Sequence, residues 1–146
     1  MHSERSPVLP LAGVRVVETT DRAEMCGRFL ADLGAEVVKV EPPGGSPTRS
    51  RGPFHAGTSL AFAVRNVNKC SVELDPDDEA GRRDLLRLLD TADIWINSRH
   101  AVTPGEPPFV ADVRARNPRL VVLSVTDFGQ TGPYRDATAT PWVLTA

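Results

Sequence analysis

The sequence predicts an α/β fold built on a mostly parallel sheet of about five strands. Three observations predict it. Short β-branched runs alternate with stretches of helical periodicity, the first two runs are joined by one helix that ends at a glycine, and the second run enters a Pro/Gly-rich loop. Strand, helix and strand in that order form a right-handed parallel βαβ unit, and open α/β sheets bind ligands just beyond the carboxyl ends of their strands. The chain therefore opens with half of a ligand-binding crevice.

Val14 to Glu18 is the first strand. Ala23 to Leu33 follows as a helix with Met25, Phe29, Leu30 and Leu33 at helical spacing, and Gly34 stands where a left-handed residue closes a helix. Glu36 to Val40 is the second strand. From Pro42 to Gly57, four prolines and four glycines leave no usable period, so the segment reads as loop. Ser71 to Leu74 alternates as a strand should. Asp75-Pro76-Asp77-Asp78-Glu79 then supplies an N-cap, an early proline and acidic first-turn residues ahead of Leu85, Leu86, Leu88 and Leu89, which read as core. Asp93 to Asn97 and Leu120 to Val125 are buried-type strands; between them lie a loop, Thr103 to Pro108, and a short helix, Phe109 to Arg116, ended by Asn117-Pro118. Thr140-Pro141 looks like one more helix start, with Trp142, Val143 and Leu144 opening an apolar face. A helix begun there implies structure downstream, so the expectation is the amino-terminal part of a larger fold.

Composition narrows the function classes. With 146 residues, 40% hydrophobic and 25% charged, the chain is one domain's worth of a soluble globular protein. A net charge of −2, with Lys and Arg scattered among carboxylates, disfavours nucleic acid and anionic lipid as partners. Residues 1–9 read as a flexible tail without an apolar leader, and no apolar run reaches the roughly 20 residues that span a bilayer, so the expected location is cytoplasmic, with no membrane partner. Cys26 and Cys70 are far apart, with no CxxC and no clustered His; neither a metal site nor a disulfide framework is expected, and both read as inert packing thiols.

Several motifs occur in a telling order. They are Pro10-Leu-Ala-Gly-Val-Arg-Val16, Leu30-Ala-Asp-Leu-Gly-Ala-Glu-Val-Val-Lys-Val-Glu-Pro-Pro-Gly-Gly45, Asn66-Val-Asn-Lys-Cys-Ser-Val-Glu-Leu-Asp75, Ala92-Asp93-Ile94, Asn117-Pro-Arg-Leu-Val121 and Phe128-Gly-Gln-Thr-Gly-Pro-Tyr134. Together they resemble the family III CoA-transferases, a superfamily that includes formyl-CoA and carnitine CoA-transferases and α-methylacyl-CoA racemases. The resemblance implies a Rossmann-like fold, incomplete here because a small second domain is absent, with residues 10–146 as a truncated CoA-binding domain. It implies coenzyme A as substrate and acyl carrier, an acyl-CoA and a carboxylic acid as partners, and an interlocked homodimer or heterodimer for the full-length protein. The residues it aligns with the CoA channel are Ala23, Pro42, Leu74, Asp75, Ser98, Arg99 and His100. Backbone donors at strand ends and helix N-termini would meet the diphosphate there, and apolar walls would hold the adenine and the pantetheine arm.

Departures from the family pattern also carry information. The usual Ala-Gly-Pro of the first loop is replaced by a shorter Asp21-Arg22-Ala23-Glu24, which puts a carboxylate where an anionic ligand would approach. Asn68-Lys69-Cys70-Ser71 loses one cation, and Asn97-Ser98-Arg99 offers a guanidinium in compensation. The family's nucleophilic aspartate falls beyond Gly132-Pro133-Tyr134 and outside this chain, so no residue here is assigned to catalysis and the chain alone is expected to be inactive. Neither Thr140 nor Pro141 can accept a proton, which disfavours racemase chemistry. Asp127 and Asp136 read as Asx-turn residues, His55 and His100 as solvated loop histidines, Gly129 to Gly132 as turn geometry, and Lys39 with Glu41 as a solvated strand end. Two functions follow: CoA transfer between carboxylic acids, or a non-catalytic pseudo-subunit or fused half that supports a competent CoA-transferase partner. A dinucleotide oxidoreductase is disfavoured because no Gly-x-Gly-x-x-Gly follows the first strand.

Overall fold

The computed structural model describes residues 9–98 and 108–139. Among them the chain forms β1 (Arg15–Glu18), α1 (Glu24–Asp32), β2 (Glu36–Glu41), β3 (Phe54–His55), β4 (Thr58–Ser59), α2 (Leu60–Asn66), β5 (Cys70–Glu73), α3 (Glu79–Asp90), β6 (Ile94–Asn97), α4 (Pro108–Arg116) and β7 (Val121–Ser124). Five strands build one sheet in the order β5, β2, β1, β6, β7, with every pairing parallel, as the alternation of elements predicts. The Rossmann-like α/β fold is confirmed.

Alternation along the strands divides the core between two faces. Val17, Val40 and Trp95 point toward α3 and α4, where they meet Leu85, Leu89, Val110, Val113 and Leu120. Val16, Val37 and Ile96 point the other way, with Ala23, Ala31 and Ala35. Leu85 and Leu89 are 2% and 1% exposed, and burying each fully contributes about 1.5–3 kcal/mol. The Asn117 side-chain amide locks the ends of α3 and α4 together by donating to the Leu89 and Ala92 carbonyls at 3.1 and 2.9 Å. Gly34 closes α1 in the left-handed region at φ +101°, as expected of a C′ glycine.

Elsewhere the structure corrects the reading. The start of α3 is at Glu79; Asp78 is the N-cap, its carboxylate accepting from Gly81 N at 2.6 Å, while Asp75 accepts from Asp77 N at 2.9 Å in an Asx turn before the helix. Pro76 consequently stays outside α3. A Cβ on Gly81 would lie 2.0 Å from the Asp75 carbonyl oxygen, so the 75–78 turn wraps tightly against the first helical turn and pushes the cap inward. Met25, Phe29 and Leu33, the stripe expected to pack α1, are instead 39%, 60% and 45% exposed. The packed side carries Gly27 and Ala31. The 42–57 segment is not featureless: Pro47–Ser50 forms a 3-10 turn capped by Ser46, and β3 pairs with β4 as a short hairpin. No helix was expected over Leu60–Asn66, and α2 contains no buried residue that would have marked it. Cys70 is exposed and therefore not a packing thiol, whereas Cys26 is half-buried against the α1-side core. Residues 1–8, Thr140-Pro141 and the segment after them lie outside the described residues.

Candidate functional site at the carboxyl rim of the sheet

From β1 the chain moves outward to β2 and β5, then returns to the other side of β1 for β6 and β7. The topological switch point therefore lies between the carboxyl ends of β1 and β6, where open α/β sheets open their ligand crevice. Thr19 N donates to the Ile96 carbonyl at 2.9 Å across this point. Beside it opens a cleft of about 600 Å³, within the usual size of small-molecule sites. Asp21 to Met25, from the turn between β1 and α1, line one wall; Arg51, Arg65, Val125 to Asp127 and Ala139 complete it.

Three guanidiniums converge on this cleft. Arg22 forms an ion pair with Asp127, whose side chain is 2% exposed and whose Oδ2 accepts from Ala139 N at 2.8 Å. Asp127 is thus a long-range tether across the cleft, which corrects its reading as a local turn residue. Arg65 approaches Glu24 Oε2 only to 4.0 Å.

A buried charge network stands beneath the wall. Glu18, on β1, is fully buried and receives Lys69 Nζ at 2.9 and 3.1 Å and Lys39 Nζ at 3.4 Å. Lys69 also donates to the Glu24 carbonyl at 2.8 Å and to Asn66 Oδ1 at 2.9 Å. Lys39 reaches Asp21 Oδ1 at 2.8 Å and Glu24 Oε1 at 3.3 Å. Burial pushes the Glu18 carboxyl above its usual range against the pull of Lys69 and Lys39, and burial likewise pulls the Lys69 ammonium down. For Lys39, burial pulls downward too, but its hydrogen bond to Asp21 and the charges of Glu18, Asp21 and Glu24 outweigh it and hold the ammonium above its usual value. Lys39 is 1% exposed and Glu41 2%, so these are not a solvated strand end. Glu41 instead takes Arg49 in a bidentate pair at 2.6 and 2.7 Å and Ser46 N at 2.8 Å, and the Arg49 guanidinium lies 4.0 Å from the Phe62 ring centroid.

The same network pairs both carboxylates of the Asp21-Arg22-Ala23-Glu24 turn. Lys39 meets both carboxylates, and Ser46 Oγ donates to Asp21 at 2.8 Å. Glu24 Oε1 further accepts from the Thr48 hydroxyl at 2.9 Å and Asn66 Nδ2 at 3.0 Å. Two buried polar atoms at the rim have no hydrogen-bond partner among the described residues: Glu24 Oε2, and Nδ2 of Asn97 at the end of β6.

Of the channel residues expected from sequence, Ala23 lines the cleft and half-buried Ser98 follows β6 at the switch point. Pro42, Leu74 and Asp75 sit together over β2 and β5, where Leu74 N donates to the Glu41 carbonyl at 2.9 Å, and they do not line the cleft. Arg99 and His100 lie outside the described residues. Sequence reasoning missed Arg51 and Arg65 because one sits in the irregular loop and the other on the helix that periodicity did not reveal. Among the described residues no group of three or more His, Cys, Asp and Glu is arranged to hold a metal, and no helix is long and apolar enough to cross a membrane.

The sequence pattern of CoA-transferase family III matches residues 11–146. The chain is 47% identical over 127 residues to a probable CoA-transferase, Rv1866, of Mycobacterium tuberculosis, covering 84% of this chain and 16% of that protein. It is 40% identical over 141 residues to succinyl-CoA–D-citramalate CoA-transferase of Chloroflexus aurantiacus, covering 93% of this chain and 35% of that protein. The crystal structure of a D175A mutant of Rv3272 from M. tuberculosis superposes with a TM-score of 0.80 at 36% identity, over 92% of this chain and 38% of that one. A CAIB/BAIF family protein from Brucella suis gives a TM-score of 0.80 at 32% identity, over 94% and 38% of the two chains. The chain thus spans about a third of the length of most of these relatives, and less of Rv1866. On its sequence pattern, its relatives and its fold, it belongs to CoA-transferase family III.

Proposed function

We propose that the carboxyl rim of this sheet binds coenzyme A and its thioesters, and that the protein to which the chain belongs moves CoA between an acyl-CoA and a carboxylic acid. The observation that carries this reading is the convergence of Arg22, Arg51 and Arg65 on a cleft beside the switch point, in a chain matching family III from residue 11 onward. Guanidiniums meet phosphate oxygens in charge-assisted, bidentate hydrogen bonds, and the cleft has room for a large ligand. Ala23 and Ser98 flank the crevice from the ends of β1 and β6, and Arg99 and His100 belong to the same proposed channel, with Pro42, Leu74 and Asp75 on its outer rim.

In this reading the chain binds and orients the thioester, and the attacking aspartate is supplied from outside it. The transfer passes through attack of that carboxylate on the acyl-CoA carbonyl, which releases the CoA thiolate and leaves a mixed anhydride. The thiolate then attacks the aspartyl carbonyl, expelling the first carboxylate and leaving an aspartyl-CoA thioester. The incoming carboxylate runs the same two steps in reverse to give the new acyl-CoA and the free aspartate. An assembly of two subunits is part of the proposal; relatives include proteins named as the alpha and beta subunits of succinyl-CoA–L-malate CoA-transferase.

Calorimetric titration of CoA into the purified chain tests the reading. Saturable binding near one CoA per chain is the expected result, with no CoA exchange when an acyl-CoA and a free acid are added together. A flat titration would overturn it.

A further inference from the structure

The geometry points to Glu24 as the acceptor for an N–H or O–H donor of the ligand in the rim cleft, with Arg51 and Arg65 facing that ligand's anionic groups. The inference rests on the CoA reading and adds to it the side chains that make the contacts.

Glu24 opens α1, is 2% exposed, and lines the cleft. Its two oxygens differ sharply in their surroundings. Oε1 accepts from Thr48 Oγ1 at 2.9 Å and Asn66 Nδ2 at 3.0 Å and pairs with Lys39 Nζ at 3.3 Å, whereas Oε2 has no hydrogen-bond donor among the described residues. A buried acceptor without a donor is both costly and uncommon, and a binding site is one of the places where folds keep such an atom. Arg65 Nη1 is 4.0 Å from Oε2, too far to hydrogen-bond, and its side chain is 43% exposed, free to turn outward to an anion and uncover Oε2. Arg51 stands exposed on the same cleft, and no residue pairs with its guanidinium among those described.

This arrangement sorts a ligand by chemistry. Its charged groups remain at the solvated lip with the guanidiniums, and a neutral donor enters beneath them to reach Glu24. CoA carries donors of this kind in two parts, the amides and hydroxyls of the pantetheine arm and the exocyclic amine and ribose 2′-hydroxyl of the adenosine part, with the diphosphate between them.

Calorimetry with three probes, CoA, pantetheine and adenosine 3′,5′-bisphosphate, distinguishes the two. Glu24→Gln keeps an oxygen for Thr48 and Asn66 and puts an NH2 where Oε2 was, so a ligand donor there meets another donor. Expected is a loss of about ten-fold in CoA affinity, shared by whichever fragment carries the donor and absent from the other. Arg65→Gln and Arg51→Gln, at exposed positions, should each weaken CoA and the bisphosphate and leave pantetheine unaffected. Wild-type CoA affinity in folded Glu24→Gln overturns the inference while the CoA reading stands; if that variant does not fold, wild-type affinity in both arginine variants overturns it equally. A wild-type chain that binds no CoA removes the reading on which the inference rests.

Discussion

Both faces of the sheet carry an apolar cluster, and one of them adds buried charge. Under α3 and α4 the strands present Val17, Val40 and Trp95 to a hydrocarbon core, with the Trp95 and Phe109 rings edge to face at 5.7 Å. Under α1 and α2 the strands present Val16, Val37 and Ile96 together with Glu18, Lys39 and Glu41, all buried. Buried ion pairs contribute little net stability, because desolvation offsets the attraction, yet breaking one is expensive. The apolar face therefore holds the domain together, and the charged face fixes the turn between β1 and α1, where the cleft wall stands. Lys39 holds Asp21, Lys69 holds the Glu24 carbonyl, and each is anchored to Glu18.

The largest effect that would break this comparison comes from Lys69. Lys69→Met takes from buried Glu18 its two shorter ion-pair contacts, leaving it Lys39 at 3.4 Å, and should cost about 3–5 kcal/mol in chemical denaturation, as much as Leu89→Ala on the apolar face, for which about 2–5 kcal/mol is expected. The double variant Glu18→Met with Lys69→Met should recover most of that loss. Equal stability of the single and double variants would show that Lys69 acts through packing alone.

Gly27→Ala sharpens the contrast at its closest point. A Cβ there would lie 1.8 Å from Glu18 Oε2, so α1 must lift off the charge network. The substitution should cost about 1–3 kcal/mol despite a gain of about 1 kcal/mol in helix propensity.

The pH dependence separates two carboxylates on the charged face. The hydrogen bond from Arg49 holds Glu41 below the ordinary 4.5, so its stabilisation is present above that value and is lost as pH falls through the lowered folded value. Glu18 has the opposite sign: burial raises it above 4.5, and the cost of its charge grows as pH rises from there. Glu41→Gln should flatten the acid limb of a stability profile below about pH 4.5, and an unchanged acid limb would remove Glu41 from the account.

The smallest effect on stability is expected at the outward stripe of α1. Phe29→Ser should change stability by no more than about 0.5 kcal/mol. Phe29 and Val64 are each 60% exposed, on α1 and α2, so the wild-type chain should self-associate in size-exclusion chromatography and the variant should do so less.

What could be read from sequence follows the same division. The strands were legible because β-branched residues mark both faces alike, and α3 because Leu85 and Leu89 recur on one side over hydrocarbon. The packing of α1 was misread because its inward side carries Gly27 and Ala31, small residues that make room for buried charge, while its large apolar residues face outward. Lys39 and Glu41 looked solvated for a related reason: a lone charged residue in a strand says nothing of the partner that buries it. Here the partners come from other segments: Asp21 and Glu24 for Lys39, and Arg49 for Glu41. The crevice could be placed from strand order and from Ala23 and Ser98, but Arg51 and Arg65 are brought to it only by the folded 47–66 segment.

Hydrogen–deuterium exchange of the purified chain with and without CoA tests the central claim most directly. The account predicts added protection confined to the carboxyl rim, at residues 19–25, 51–66 and 125–127, with the α3 and α4 face unchanged. Protection on that opposite face, or none anywhere at saturating CoA, would contradict it.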